Sequence, residues 1–284
     1  MSWNKNLKFY LLHVIVSCTC ILHAQKNILC TDNFSSRIIY STTKGTDEKM
    51  ELYLLIGQSN MAGRGKVDSI SKVEDTHILM LTKENTWVLA TDPLHFDKRE
   101  AGVGPGLSFA KKLAMAKPGI NIGLIPCAVG GTSISKWKPG AYDSVTNTHP
   151  YDDAIARVKI AMKRGILKGI LWHQGEGDSS DGQYKLYQNR FDSLLNNLAK
   201  DLVINVDTMP IVIGELGPFY LTKSKQAGKI NEVLRTISAT HPNIICVSAK
   251  GLTDKGDRTH FDVLSARILG ERYAEAMEKL QHLK

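Results

Sequence analysis

The sequence predicts an α/β fold, a parallel sheet with helices packed on both of its faces. Three observations lead there. Apolar runs of strand length alternate with helical patterns from about Met50 to the C-terminus. Residues 52–56, Leu-Tyr-Leu-Leu-Ile, are apolar without a polar alternate, as a strand covered on both faces requires. Groups able to do chemistry fall just after the strand-like runs, where open α/β sheets place their ligands.

The elements follow in order. "MELYLLI" and "THILMLT" read as the first two strands, and "GLSFAKKLAMA" as a helix. "INIGLIPCAV" returns to the sheet, a helix runs through "YDDAIARVKIAMKRG", and "KGILWHQ" is the next strand. A long helix over about 183–200, a strand at "MPIVIGEL", a helix over about 225–240 and a strand at "NIICVSA" continue the alternation. A last helix covers about 264–280, where Leu264, Ile268, Tyr273, Met277 and Leu280 recur near a 3.6 period and define its expected core face. Right-handed crossovers make such an alternation a parallel sheet. No internal repeat divides it, and 284 residues with 43% hydrophobic composition suit one large core.

A formal charge of +8 comes from 36 Lys and Arg that are scattered, not gathered into a stripe with aromatics, so no nucleic-acid partner is expected. The first residues place Lys5 and Lys8 ahead of an apolar run from Phe9 to Leu22 that ends at His23-Ala24-Gln25. That order predicts a signal peptide over residues 1–24, and hence a secreted or periplasmic protein. A competing lipoprotein box, Ile15-Val16-Ser17-Cys18, would instead retain a lipidated Cys18, and an uncleaved anchor is a third reading. The apolar run is short for a stable membrane span. Residues 25–49 are polar and read as a linker or N-terminal extension with one short strand at Arg37 to Tyr40, leaving residues 50–284 as the folded domain. Cys30, Cys127 and Cys246 remain past the expected cut, an odd number that cannot all pair, and the last two lie in strand-like runs as buried thiols. No CxxC occurs to suggest structural zinc.

The strand ends carry the functional signal. The first ends in Gly57-Gln58-Ser59-Asn60, another in Gly130-Gly131-Thr132-Ser133, and a third in His173-Gln174-Gly175-Glu176-Gly177-Asp178. The last strand leads through "KGLTDKGDRTHFD", which brings Asp257 and His260. A serine hydroxyl needs an imidazole to take its proton, and the imidazole needs a carboxylate to orient it. Ser59, His260 and Asp257 are therefore the candidate triad. The Ser59 and Gly131 amides and the Gln174 side chain are candidate oxyanion donors. Each piece has an ordinary structural reading too: a glycine pair turns a chain, a serine caps a helix, and His173 can be a buried core histidine. Their gathering at one edge of one sheet favours the catalytic reading. Two rivals stand beside it. One is a metal-dependent phosphoesterase built from His173, Glu176, Asp178, Asp257 and His260; the other is a silent carbohydrate-binding protein.

The stretches "LLIGQSNMAGRG", "GPGLSFAKKLA", "IGLIPCAVGGTSISKW", "ILWHQGEGD" and "DRTHFD" together resemble the SGNH hydrolase superfamily. Within it they are most similar to the carbohydrate esterases of family six and the sialic-acid-specific acetylesterase group. The resemblance implies a flavodoxin-like three-layer α/β/α sandwich, no metal or other cofactor, and removal of acetyl groups from a carbohydrate substrate such as acetylated xylan or O-acetyl sialic acid. By the same resemblance Ser59 is the nucleophile, His260 the base and Asp257 its orienting acid, with Ser59 and Gly131 amides in the oxyanion hole. Gln174 stands where the superfamily has its asparagine. Gln58 and Glu176 are candidate supporting residues, Glu176 by orienting His260 or Gln174. Trp137 and Arg64 are candidates for stacking on a sugar and meeting an acidic sugar's carboxylate. Arg64 has a salt bridge within its loop as its competing role.

Overall fold

A computed structural model describes residues 49–180 and 182–282. The expected leader, the Cys18 box, the polar stretch to residue 48 with its expected short strand, and Cys30 lie outside the described residues. A seven-stranded sheet forms the middle layer. Its strands are β1 (Met50–Gly57), β2 (Ile78–Leu81), β3 (Trp87–Leu89), β4 (Ile122–Pro126), β5 (Gly165–His173), β6 (Ile211–Gly214) and β7 (Ile244–Val247), in spatial order β3-β2-β4-β1-β5-β6-β7. All neighbours pair in parallel except β3, which turns back on β2 as an antiparallel hairpin and forms the edge. Within it, β4-β1-β5-β6-β7 run in the flavodoxin-like order 2-1-3-4-5, and the β2–β3 hairpin widens that sheet. The sequence pattern missed β3, whose three residues are too few for a period to register.

The helices are α1 (Ser59–Ala62), α2 (Pro105–Ala116), α3 (Pro150–Ala161), α4 (Tyr187–Leu202), α5 (Pro218–Lys223), α6 (Ala227–Thr240) and α7 (Val263–His282). Proline opens α2, α3 and α5 at the position where a missing N–H costs nothing. Strand β1 shows how the layers form. Its Leu52, Leu54 and Ile56 enter the apolar cluster shared with α3, α4 and α6, while Tyr53 and Leu55 enter the one shared with α2 and α7. Both faces are covered, which is why the run has no polar alternate.

Helix α7 corrects one expectation. Leu264 is 68% exposed. The buried face keeps Tyr273, Met277 and Leu280 and adds Ser265, Ala266, Leu269, Gly270, Ala274 and Ala276. Small residues there let α2 approach closely, and a Cβ at Gly270 would fall 2.2 Å from the Pro105 carbonyl oxygen. Cys127 is buried and Cys246 half-buried, both as free thiols. Among the described residues no helix is long and apolar enough to cross a membrane.

Candidate active site

The serine's position follows from the end of β1. Gly57 has φ +125°, and a Cβ there would lie 2.1 Å from the His173 carbonyl oxygen. Only glycine lets β1 stay against β5 to its last residue and then turn. Gln58 remains extended, its carbonyl accepts the N–H groups of Met61 and Ala62, and Ser59 opens α1. The Ser59 hydroxyl therefore stands at the C-terminal edge of the sheet, beside the mid-sheet strands.

The segment after β7 delivers the other two groups. His260 Nε2 lies 3.1 Å from Ser59 Oγ, and His260 Nδ1 lies 2.7 Å from Asp257 Oδ2. With its proton on Nδ1, shared with the carboxylate, the ring offers Nε2 as acceptor to the serine. The other Asp257 oxygen accepts the backbone N–H groups of Thr259 and His260 at 2.9 and 2.8 Å, so one short turn carries both acid and base. Closing it puts Arg258 in the left-handed region, φ +53°, with its N–H held by Asp254. Burial pulls the His260 pKa below the ordinary histidine value, and Asp257 only partly offsets this, so the ring is neutral and able to accept a proton at pH 7. Burial works to raise Asp257, yet hydrogen bonds from the His260 ring and the backbone outweigh it and hold the carboxyl at about 2.

Gly131 has φ +91°, which turns the chain after β4 toward the serine. Among the described residues neither the Gly131 nor the Ser59 N–H has a protein acceptor. The neighbouring Gly130 N–H is occupied, donating to Asp97 Oδ2 at 2.8 Å. Arg64 explains that bond. Its guanidinium grips Asp97 at 2.6 Å, donates to the Gly63 carbonyl at 2.7 Å, and fills the space where a side chain at position 130 would stand. Arg64 borders the cavity, but both of its terminal nitrogens hold protein acceptors, Asp97 in a buried ion pair and the Gly63 carbonyl, and the pair sets the glycine loop. That is its competing role, reached across 33 residues to a second loop.

Gln174 is not where the sequence reading put it. It is fully buried, and its Nε2 donates to Asp178 Oδ2 at 2.7 Å, Thr132 O at 3.1 Å and Gln58 Oε1 at 3.1 Å. No donor is left for a substrate. Gln58 lines the cavity instead: its Oε1 accepts from Gln174 Nε2 and from the Gly177 N–H at 3.2 Å, which leaves its Nε2 as the amide nitrogen not committed to either. Residue 174 thus holds residue 58 through its side-chain oxygen.

Trp137 is 1% exposed, edge-on to Trp172 with ring centroids 5.4 Å apart, and donates to Thr132 Oγ1. It packs under the glycine loop and cannot stack on a ligand. The aromatic side chain that does line the cavity is Tyr220, from α5, with its hydroxyl donated to the Glu176 carbonyl at 3.1 Å. Nothing in the sequence pointed to it, because α5 is six residues long. The Glu176 carboxylate meets neither His260 nor Gln174; it accepts from Asn60 Nδ2, and burial raises its pKa to about 7. His173 is buried against the Tyr273 hydroxyl at 2.7 Å, and Asp178 accepts from the Ile134 N–H. The five residues of the metal reading therefore do not converge. Among the described residues no three His, Cys, Asp or Glu side chains stand together as a ligand set.

The cavity above these groups has a volume of about 400 Å³, within the range of small-molecule sites. Gln58, Ser59, Gly131 and His260 line it together with Lys98, Glu100, Tyr220, Lys255 and Thr259.

Comparisons with known proteins identify the family and the fold. The family model described as "Carbohydrate esterase, sialic acid-specific acetylesterase" matches residues 49–279. A probable carbohydrate esterase of Arabidopsis thaliana, At4g34215, is 34% identical over 249 residues, 80% of this chain and 89% of that protein. Its crystal structure superposes with a TM-score of 0.71, covering 81% of this chain and 98% of that one. NanS, at 18% identity, shares the fold with a TM-score of 0.69 over 84% of this chain and 99% of its own. A carbohydrate acetylesterase from Xanthomonas citri, at 19% identity, does so with 0.65 over 82% of this chain and 57% of its own.

Proposed function

Because the chain belongs to the carbohydrate esterase family of sialic acid-specific acetylesterases and is a carbohydrate acetylesterase, we propose that it works through a Ser59-His260-Asp257 acyl-enzyme mechanism on O-acetylated sugars. The observation that carries this reading is the unbroken chain from Ser59 Oγ to His260 Nε2 and from His260 Nδ1 to Asp257, opening into a cavity. Ser59 Oγ attacks the acetyl carbonyl while its proton passes to His260 Nε2. The negative charge that forms on the carbonyl oxygen meets the Ser59 N–H, the Gly131 N–H and the Gln58 Nε2–H. Collapse breaks the ester C–O bond, and the sugar oxygen leaves with the proton from His260. Water then gives a proton to the same nitrogen as it attacks the acetyl-enzyme, collapse breaks the bond between the acetyl carbon and Ser59 Oγ, His260 returns the proton to Oγ, and acetate departs.

The substrate classes this reading favours are acetylated xylan-type glycans and O-acetyl sialic acids. Tyr220 is the aromatic wall available to the sugar ring. The test is acetate release from both substrate sets and from an aryl acetate, with Ser59→Ala as blank. Loss of at least three orders of magnitude in kcat on every substrate is expected. Hydrolysis that persists in Ser59→Ala would remove the serine from the chemistry.

A further inference from the structure

We propose that Asn60 is a positioning residue for His260, a buried amide strut that ties the nucleophile's own turn to the backbone on both sides of the imidazole. The inference rests on the Ser59-His260 reading above.

The hydrogen bonds around His260 are of two kinds. Those from Asp257 lie within the turn that carries His260, so they orient the ring relative to its own segment. They cannot fix the segment relative to Ser59. Asn60 can, because it follows Ser59 in the chain. Its Nδ2 donates to the Thr259 carbonyl at 3.0 Å and its Oδ1 accepts the Phe261 N–H at 3.1 Å, bonds that span 199 and 201 residues of sequence. Thr259 and Phe261 are the two neighbours of His260. The same Nδ2 also donates to Glu176 Oε1, an acceptor that holds the amide in the one orientation that serves both backbone partners.

Asn60 is 3% exposed, so water cannot replace these bonds. The segment needs such a tie: residues 255–258 are exposed, and Arg258 sits at positive φ. The other attachments are Lys223 to the Thr259 hydroxyl and the edge-on packing of Phe261 against Phe219 and against His173. None of them is a hydrogen bond to the serine's turn. Removing the strut frees the His260 ring to drift from Ser59 Oγ, and a misplacement of about 1 Å in such a pair is worth about a hundredfold in rate.

The test uses the full chain, with sites counted by fluorophosphonate titration of Ser59. For Asn60→Ala, kcat per titrated site is expected to fall about 10- to 100-fold with KM within about threefold of wild type. The acid limb of the pH profile should also move up toward the ordinary histidine range as the freed ring takes up water. The charged groups facing His260, which are Asp257, Arg64 and Lys255, stay in place, and Glu176, which burial raises to about 7 and which loses its Asn60 donor in the variant, is controlled by reading the same shift in a Glu176→Gln background, so that movement reports the ring's solvation. A purely structural asparagine would lower Tm and the titrated fraction without moving either quantity. A kcat within threefold of wild type, or an acid limb that does not move, overturns the proposal.

Should Asn60→Ala not fold, Asn60→Asp carries the test: it keeps an acceptor for the Phe261 N–H and loses the donor to the Thr259 carbonyl and to Glu176. A fall in kcat per titrated site of more than about threefold supports the strut, and a kcat within about threefold of wild type overturns it. Ser59→Ala separates this from its parent: an active Ser59→Ala protein removes the triad reading, while an inactive one beside an unaffected Asn60→Ala removes only the strut.

Discussion

Gln58→Ala tests the reassignment of the oxyanion donor. The substitution removes one of three donors aimed at the developing charge and leaves the Ser59 and Gly131 amides. A single preorganised donor contributes about 2.7–4 kcal/mol, so kcat should fall by about 10²–10³ with little change in KM. Its effect on folding is small by comparison. The orphaned Gly177 N–H lies at an exposed residue where water can accept it, and Gln174 Nε2 keeps Asp178 and Thr132 as acceptors. The stability cost is about 1 kcal/mol or less, a few degrees in Tm for a domain of this size. Gln174→Ala should reverse the balance. It strips a buried amide from three acceptors, costing about 1–3 kcal/mol for the groups left unpaired, and lowers kcat only by loosening Gln58. Gln58→Glu sharpens the contrast. It retains an acceptor for Gln174 and Gly177, loses the donor, and puts a carboxylate where negative charge must form, so kcat should fall at least as far as in Gln58→Ala. The assay is kcat and KM on an aryl acetate, corrected for titrated sites, alongside thermal unfolding. A larger loss of kcat in Gln174→Ala than in Gln58→Ala at equal folded fraction would return the donor role to Gln174.

Three further outcomes are expected. Asp257→Asn should lower kcat by several orders of magnitude and shift the acid limb of the pH profile downward, because the carboxylate is what raises His260 against the lowering effect of burial; an upward shift would contradict that balance. Trp137→Ala should cost about 3–5 kcal/mol of stability with KM for sugar esters unchanged, whereas Tyr220→Ala should raise KM for acetylated oligosaccharides and leave kcat on an aryl acetate within about threefold; the opposite pattern in KM would restore Trp137 to the sugar site. Asp92 is buried, with one carboxylate oxygen lacking a partner, and burial raises its pKa to about 7 despite Arg267, Lys111 and Lys72 nearby. A raised carboxyl binds its proton more tightly folded than unfolded, so its contribution is fully present below about pH 4 and is lost as pH rises through about 7. Asp92→Asn should therefore gain stability relative to wild type across that window, by on the order of a few kcal/mol, as read by urea unfolding at pH 4, 5.5 and 8. The comparison is made against wild type because His95 and His173, which burial holds down at about 4 and about 3, act in the opposite sense, costing stability as pH falls. A constant difference between the two proteins at all three values would refute the assignment.

The two glutamines show where sequence reasoning stops. Gln58 and Gln174 both follow strands, both are amides, and either can serve an oxyanion. The difference between them is a matter of which nitrogen is free, and that depends on Asp178, Thr132 and Gly177 meeting in space. The same holds for Trp137 and Tyr220: a large aromatic after a glycine pair looks available in one dimension, but packing against Trp172 buries it, while an inconspicuous short helix supplies the exposed ring. Asn60 was visible all along beside the serine. Its use became apparent only with residues 259 and 261 folded back onto it.

By itself the amino-acid order determined the layered α/β architecture, the strands that make the flavodoxin-like core, and the segments that bear the serine, the glycine pair and the Asp/His turn. These are local properties: apolar period, run length, and glycine where backbone must turn or approach. Tertiary structure decided which amide faces the cavity, which arginine and tryptophan are spent on packing, and what holds His260 at the serine. The physical reason is that a hydrogen-bonding group is defined by its partners, and the partners of Gln58, Arg64 and Asn60 lie dozens to hundreds of residues away.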